Sequence, residues 1–144
     1  YMNRYSLLLL SGFIIWASCH ESSSKRNLQP EIADCDSAVV MFYHQPGNPR
    51  FFDMLKIYDK DAITDISRDV NGKVIPPKDT CTTQGKLYFY GKGDAVFVVY
   101  FSRLEDCLTL SFIKTGEKYY IRMGGRVKDL LDDWRSMAIT PGSD

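Results

Sequence analysis

The fold is decided by residues 86–123, which read KLYFYGKGDAVFVVYFSRLEDCLTLSFIKTGEKYYIRM. Four runs rich in aromatic and β-branched residues stand in this stretch, and such runs are typical of β-strands. Loops that contain glycine join them in pairs, Lys86–Tyr90 to Ala95–Phe101 and Leu108–Ile113 to Lys118–Met123. Each loop is a hairpin signal, because glycine supplies the positive φ that tight turns need. The sequence therefore predicts a four-stranded antiparallel meander.

Upstream of the meander, the pattern predicts one or two further strands and a central helix. Ala38–Tyr43 is a β-rich run that ends at a cluster of turn residues. The segment Phe51–Tyr58 fits a strand, but Asn48-Pro49 before it could equally cap a helix, and its apolar spacing favours the strand. Apolar residues within Ala62–Val70 recur at helical spacing, and Asn71-Gly72 after them predicts a left-handed C-cap.

A C-terminal helix follows Gly124-Gly125. Its apolar stripe consists of Val127, Leu130, Leu131, Trp134 and Ala138. With the meander, the one or two N-terminal strands and the central helix, this pattern predicts an α+β fold in which helices pack on an antiparallel sheet. We expect a single domain over residues 36–140, since the chain shows no internal repeat and no second compositional block.

The first nineteen residues have the parts of a secretory signal peptide. Arg4 is the single charge before Glu21, and the mostly apolar run Tyr5–Trp16 follows it. Small residues then lead to Cys19. The apolar run is shorter than the about 20 residues that a helix needs to span a bilayer. The segment is therefore expected to direct export.

The sequence Ala17-Ser18-Cys19 resembles the lipobox of bacterial lipoproteins, in which small residues precede a cysteine that is lipidated and becomes the mature N-terminus. The resemblance implies that residues 1–18 are removed and that a lipid on Cys19 holds the protein in the bacterial cell envelope, on its periplasmic or its surface side. Trp16 stands where lipoboxes usually carry Leu or another aliphatic residue. The alternatives are an ordinary signal peptidase that cuts before His20 and releases a soluble protein, and an N-terminal segment that stays uncut as an anchor.

The segment after the lipobox is short, polar and rich in serine, which is typical of a flexible tether. We expect this tether to cover residues 19–35. The other three cysteines would then lie in an oxidising compartment, where disulfides persist. A Cys81–Cys107 bridge is favoured, because both residues stand at element boundaries beside the same predicted sheet. A bridge from Cys35 to one of them is the alternative.

Composition and motifs exclude several classes of function. The 18 Lys and Arg residues balance the 18 Asp and Glu residues, so the chain has no basic excess for nucleic acid. Gly91-Lys92-Gly93 opens a strand, whereas a phosphate-binding loop opens a helix. His20 and His44 have no partners at the spacing of metal ligands. We expect no catalytic residue, no metal and no cofactor, and therefore a non-enzymatic binding or accessory module. A secreted enzyme or hydrolase inhibitor with an unrecognised site is the alternative.

The tyrosines of the meander are the best candidates for binding. The candidate residues are Tyr88, Tyr90 and Tyr120, with Lys86, Lys118 and Arg122 nearby. Such a face would suit another envelope protein or a glycan, since tyrosine offers a large contact area at low entropic cost. The alternative, which the pattern favours, is that the first strands and the central helix cover this face.

Overall fold

A computed structural model describes residues 30–77 and 80–143 of the chain. Within these residues seven strands form one antiparallel sheet with the order β2-β1-β4-β5-β6-β7-β3, and the predicted α+β class is confirmed. The elements are β1 (Ser37–Gln45), β2 (Asn48–Ile57), α1 (Lys60–Val70), β3 (Val74–Ile75), β4 (Gly85–Tyr90), β5 (Val96–Ser102), β6 (Thr109–Lys114), β7 (Glu117–Arg122) and α2 (Gly125–Met137), with a short 3-10 helix at Glu105–Cys107 between β5 and β6.

The predicted meander consists of β4, β5, β6 and β7, in which each strand pairs antiparallel with the next. The turn between β6 and β7 has two central residues, Thr115 with φ 51° and Gly116 with φ 82°. Two successive positive φ values match the right-handed twist of the strands on either side. Gly93 in the loop between β4 and β5 also has a positive φ, of 63°. The predicted positive φ of glycine in the two loops is therefore confirmed at Gly93 and Gly116.

The first two strands lengthen the sheet. β1 pairs antiparallel with β2 on one side and with β4 on the other. The strand interpretation of residues 51–58 is confirmed, because β2 runs through Ile57. Asn48-Pro49 begins this strand instead of capping a helix. Proline is tolerated there, since β2 is an edge strand and its outer N–H groups need no partner in the sheet.

Two local features differ from the expectation. The short strand β3 was not predicted, and it pairs with β7 through Val74 and Ile121. The prediction of a left-handed C-cap for α1 is wrong, because Asn71 has a φ of −80°. Its side-chain amide instead donates a hydrogen bond to the Ser67 carbonyl oxygen at 2.8 Å. Gly72 is needed for close approach, since a Cβ there would lie 2.8 Å from the carbonyl oxygen of Asp69.

The core lies between both helices and one face of the sheet. Alternate residues of each strand point into it, and the register keeps them on one side: Phe101 pairs with Leu110, which pairs with Ile121. The fully or nearly fully buried sheet residues on this side are Ala38, Val40, Phe42, Leu87, Phe89, Val99, Phe101, Leu110, Phe112 and Ile121. The helices supply the other half of the same cluster. Both helices therefore pack on the same face.

The folded part of the chain begins before the predicted boundary at residue 36. Ile32 and Cys35, which fell in the predicted tether, are only 0% and 1% exposed and belong to the core. Burial of an isoleucine side chain stabilises a fold by about 1.5–3 kcal/mol. This segment is therefore part of the domain.

The favoured disulfide is present, and it joins Cys81 to Cys107. Consecutive strands β3 and β4 lie at the edge and in the middle of the sheet, so the chain between them must cross to a different position. The disulfide ties the end of that connection to the turn between β5 and β6. Cys35 remains a free, buried thiol, and burial raises its pKa.

Gly85 is the position in β4 where an added side chain would be most damaging. A Cβ there would lie far inside contact distance of the Met41 carbonyl oxygen and the Phe101 ring. We expect Gly85→Ala to lower the free energy of unfolding in urea by about 1–3 kcal/mol, because β1 and β5 would have to move apart. The matched control is Gly125→Ala, where nothing lies within 4 Å of the new Cβ. An equal loss in both variants would contradict the prediction.

Candidate binding face

The sheet has one face that the helices do not cover, here named the open face. Its residues alternate with those of the core along β1, β2, β4, β5, β6 and β7, and none of them belongs to the core cluster. Its tyrosines and basic residues are Tyr43, Tyr88, Tyr90, Tyr100, Tyr120, Lys56, Lys86, Lys118 and Arg122. The first strands and the central helix do not cover this face, contrary to the alternative, because β1 and β2 lie beside the meander and α1 packs on the opposite side.

The three predicted tyrosines lie on this face but not at one point. Tyr88 and Tyr90 are on β4, and Tyr90 is 41% exposed at the end of the strand. Tyr120 is on β7, so β5 and β6 separate it from them. At about 4.8 Å per strand, β4 and β7 are about 14 Å apart. The structure therefore shows two aromatic clusters, each built around a lysine.

The first cluster surrounds Lys86. This residue pairs with Met41 of β1 and Tyr100 of β5, and its Nζ is 4.9 Å from the centroid of the Tyr88 ring. A side-chain hydrogen bond with Tyr88 raises the pKa of Lys86. Burial raises the pKa of Tyr43, which also lies in the field of Lys86. At neutral pH the charged ammonium group of Lys86 thus lies near the neutral phenol of Tyr43.

The second cluster surrounds Lys118. Its Nζ is 5.2 Å from the centroids of both the Tyr100 and the Tyr120 rings. Ser111 of β6 pairs with both tyrosines and is only 4% exposed. Because serine is small, the two rings have room for the lysine between their strands. Tyr100 therefore connects the two clusters, since it also pairs with Lys86.

Sequence reasoning missed Tyr43 and gave Tyr100 no role. Tyr43 is in phase with Val39 and Met41, so the alternation of β1 could have placed it on one face with them. Its position beside Lys86 depends on the register between β1 and β4, however. A period of two tells which residues share a face, but it does not tell which strand lies next.

The charges of the two faces are organised differently. Six cations in or against the helices form ion pairs with carboxylates: Lys60, Arg68, Arg103, Arg126, Lys128 and Arg135. No Asp or Glu occupies an open-face position of the described strands. The open face has four cations, Lys56, Lys86, Lys118 and Arg122, and none of them forms an ion pair with a carboxylate of the described residues. The open face therefore carries uncompensated positive charge, although the whole chain is formally neutral.

Residues 30–77 and 80–143 contain no group of three or more His, Cys, Asp or Glu side chains that could hold a metal ion. Their helices include none that is long and apolar enough to cross a bilayer. Cys19, the predicted lipidation site, lies outside the described residues. No protein-family model, curated protein or solved structure matches the chain.

A polar cluster on the helix side is centred on Asp53 of β2. Its carboxylate accepts hydrogen bonds from His44 Nε2 at 2.9 Å, from Thr140 Oγ1 at 2.7 Å and from the Arg135 guanidinium at 3.1 Å. Two backbone hydrogen bonds between Met54 and Ile139 lie beside it. The cluster holds the segment after α2 against the edge of the sheet, and this gives His44 a structural role.

The Asp53 cluster should contribute to stability in a pH-dependent way. Hydrogen bonds from His44 and Thr140, together with the Arg135 charge, hold the pKa of Asp53 below its ordinary value. A lowered pKa contributes stability that is present above the unfolded-state pKa and is lost as the pH falls through the folded-state pKa. At pH 7 we expect Asp53→Asn to lower the free energy of unfolding by about 1–3 kcal/mol. This difference from the parent protein should shrink below roughly pH 4, where the carboxylate becomes protonated.

Chemical denaturation at a series of pH values measures this difference. Asp133→Asn is the matched control and should cost less stability at pH 7, because among the described residues only the backbone carbonyl of Asp133, and not its carboxylate, accepts a side-chain hydrogen bond. A stability difference for Asp53→Asn that stays constant down to pH 2 would contradict the assignment.

Proposed function

We propose that this protein is a lipid-anchored module of a bacterial cell envelope that binds a partner through the open face and catalyses no reaction. The observation that carries the proposal is the composition of that face. An antiparallel sheet with one face in water normally alternates apolar and polar residues. Here the outer positions instead include tyrosines together with Val39, Met41 and Val98. Tyrosine is enriched in interfaces, where its ring and its hydroxyl both make contacts.

The pKa shifts of two open-face groups favour binding over catalysis. General acid–base chemistry works best when a group has a pKa near the working pH. The pKa values of Tyr43 and Lys86 are both raised from their ordinary alkaline values, so they are further from neutrality. At neutral pH these groups can donate hydrogen bonds and attract anions, but they are not set to exchange protons.

The proposed anchor rests on the lipobox-like sequence and on the length of chain between it and the domain. From Cys19 to Pro30 there are eleven residue steps. At 3.3–3.6 Å per residue, such a tether would hold the domain at most about 40 Å from the bilayer. The binding face would then work close to the membrane surface.

Metabolic labelling with a radioactive fatty acid tests the anchor. We expect the parent protein to be labelled and Cys19→Ala to carry no label, since the thiol is the acceptor. Cys35→Ser is the matched control and should be labelled normally, because Cys35 is a buried thiol of the core. A parent protein that is exported without label would overturn the anchor and favour release as a soluble protein.

Photo-crosslinking in intact cells tests the binding face. A photoreactive phenylalanine analogue in place of Tyr88 should crosslink to an envelope component, whereas the same analogue in place of Met137 should not. Met137 is 54% exposed at the end of α2, on the helix side of the molecule. Crosslinking from position 137 but not from position 88 would contradict the proposal. Mass analysis of the adduct would report whether the partner is a protein or a glycan.

A further inference from the structure

We infer that the open face binds an acidic glycan, a polysaccharide chain whose carboxylate groups contact Lys86 and Lys118. This inference rests on the proposed function and names the chemistry of the partner. The charge of the open face favours an acidic partner. Open-face positions of the described strands include four basic side chains and no acidic one. If a partner without negative charge covered these cations, they would lose their water without gaining a counter-charge, which costs free energy. An acidic partner supplies the counter-charge.

Aromatic rings hold the two lysines in place. Lys86 lies against the Tyr88 ring, and Lys118 lies against both Tyr100 and Tyr120. An aromatic ring attracts an ammonium group without neutralising it. Lysines fixed in this way are ordered in advance and keep their charge for a ligand, and such preorganisation lowers the entropic cost of binding. The helix-side cations differ, since carboxylates within the chain already engage them.

The spacing of the two lysines and the size of the open face favour a linear ligand. The two lysines lie on β4 and β7, about 14 Å apart across the strands. The six strands of the open face and three rows of side chains give a face of about 29 by 20 Å. Its area of about 600 Å² is below the about 800 Å² that each partner buries in a standard protein–protein interface. A linear chain with repeated charges fits this area better than a folded protein does.

The position of the clusters within the sheet favours a glycan over an extended peptide. Extended peptides gain affinity mainly from backbone hydrogen bonds at the edge of a sheet. The open-face clusters lie on β4 and β5, which are paired on both sides, and on β7, which pairs with β6 on one side and with the two residues of β3 on the other. Most of their backbone groups are therefore engaged within the sheet. The face offers phenol hydroxyls and ammonium groups instead. These groups match a chain of hydroxyls and carboxylates, and the rings supply apolar surface for the C–H groups of sugar rings.

Binding of defined oligomers to the purified protein tests the inference. The probes are an oligomer of galacturonic acid, the same oligomer with its carboxylates methyl-esterified, an oligoglutamate peptide of equal charge, and vesicles that contain phosphatidylglycerol. We expect the galacturonate oligomer to bind, and its ester to bind about tenfold more weakly or not at all, because charged hydrogen bonds are lost. Raising the salt concentration should weaken the binding, since the lysines are partly exposed.

Variants test the residues. Lys86→Gln with Lys118→Gln should reduce affinity for the galacturonate oligomer at least about tenfold, and the two arginine substitutions at the same positions should retain it. The matched control removes two exposed cations outside the open face, Lys92→Ala with Arg126→Ala, and should bind normally. Thermal unfolding of each variant verifies that it is folded.

The outcomes separate this inference from the proposed function. Stronger binding of oligoglutamate or of vesicles than of galacturonate would overturn the glycan but leave the face as a binding surface. Equal binding of the acidic oligomer and its ester would overturn the role of charge, and so would the absence of binding to every acidic probe. Loss of crosslinking at Tyr88 in cells would overturn the proposed function itself.

Discussion

The backbone pairing of β1 with β4 is the contact on which the rest of the structure depends. It joins residues that are about fifty positions apart, from Ser37↔Tyr90 to Phe42↔Gly85. Because of this pairing, the first hairpin lies beside the meander in one continuous sheet and not across it. The same register aligns Val40 with Leu87 on the core side and Met41 with Lys86 on the other. One set of hydrogen bonds thus completes the surface under the helices and extends the open face.

The close fit at this pairing explains the glycine that begins β4. Gly85 lies between Phe42 and Phe101 in the sheet, and an added Cβ would meet the Phe101 ring. Phe42 and Phe101 are themselves in edge-to-face contact, with ring centroids 5.4 Å apart. Two large aromatic side chains can meet here because the strand between them has none. Packing and strand pairing are therefore coupled at one point of the core.

The two faces of the sheet use lysine and arginine for different purposes. On the helix side, cations and carboxylates compensate one another, as Arg103 and Lys128 do with Asp132. On the open face, tyrosine rings position Lys86 and Lys118 while leaving their charge uncompensated. A neutral chain can therefore present a positive surface. Composition could not reveal this, because it sums over both faces.

The sequence predicted local structure well, because the relevant interactions are local. Turn glycines, β-branched runs and helical spacing depend on residues within a few positions of each other, so the meander, the strand at residues 51–58 and both helices could be recognised. The short strand β3 could not, since its two residues form a strand only through pairing with β7. The end of α1 was mispredicted for a similar reason, as Gly72 is required by contact with its surroundings and not by its φ angle.

By itself, the sequence determined the fold class, the alternation that puts Tyr88 and Tyr90 on one face of their strand, and the expectation of an exported, lipidated chain. Tertiary structure decided which strands are neighbours, which face the helices cover and which lysine meets which ring. It also showed that Ile32 and Cys35 belong to the core. The physical reason is that side-chain alternation is a property of one strand. Strand order and the choice of covered face depend on contacts between segments far apart in the chain, where burial of the whole apolar surface decides.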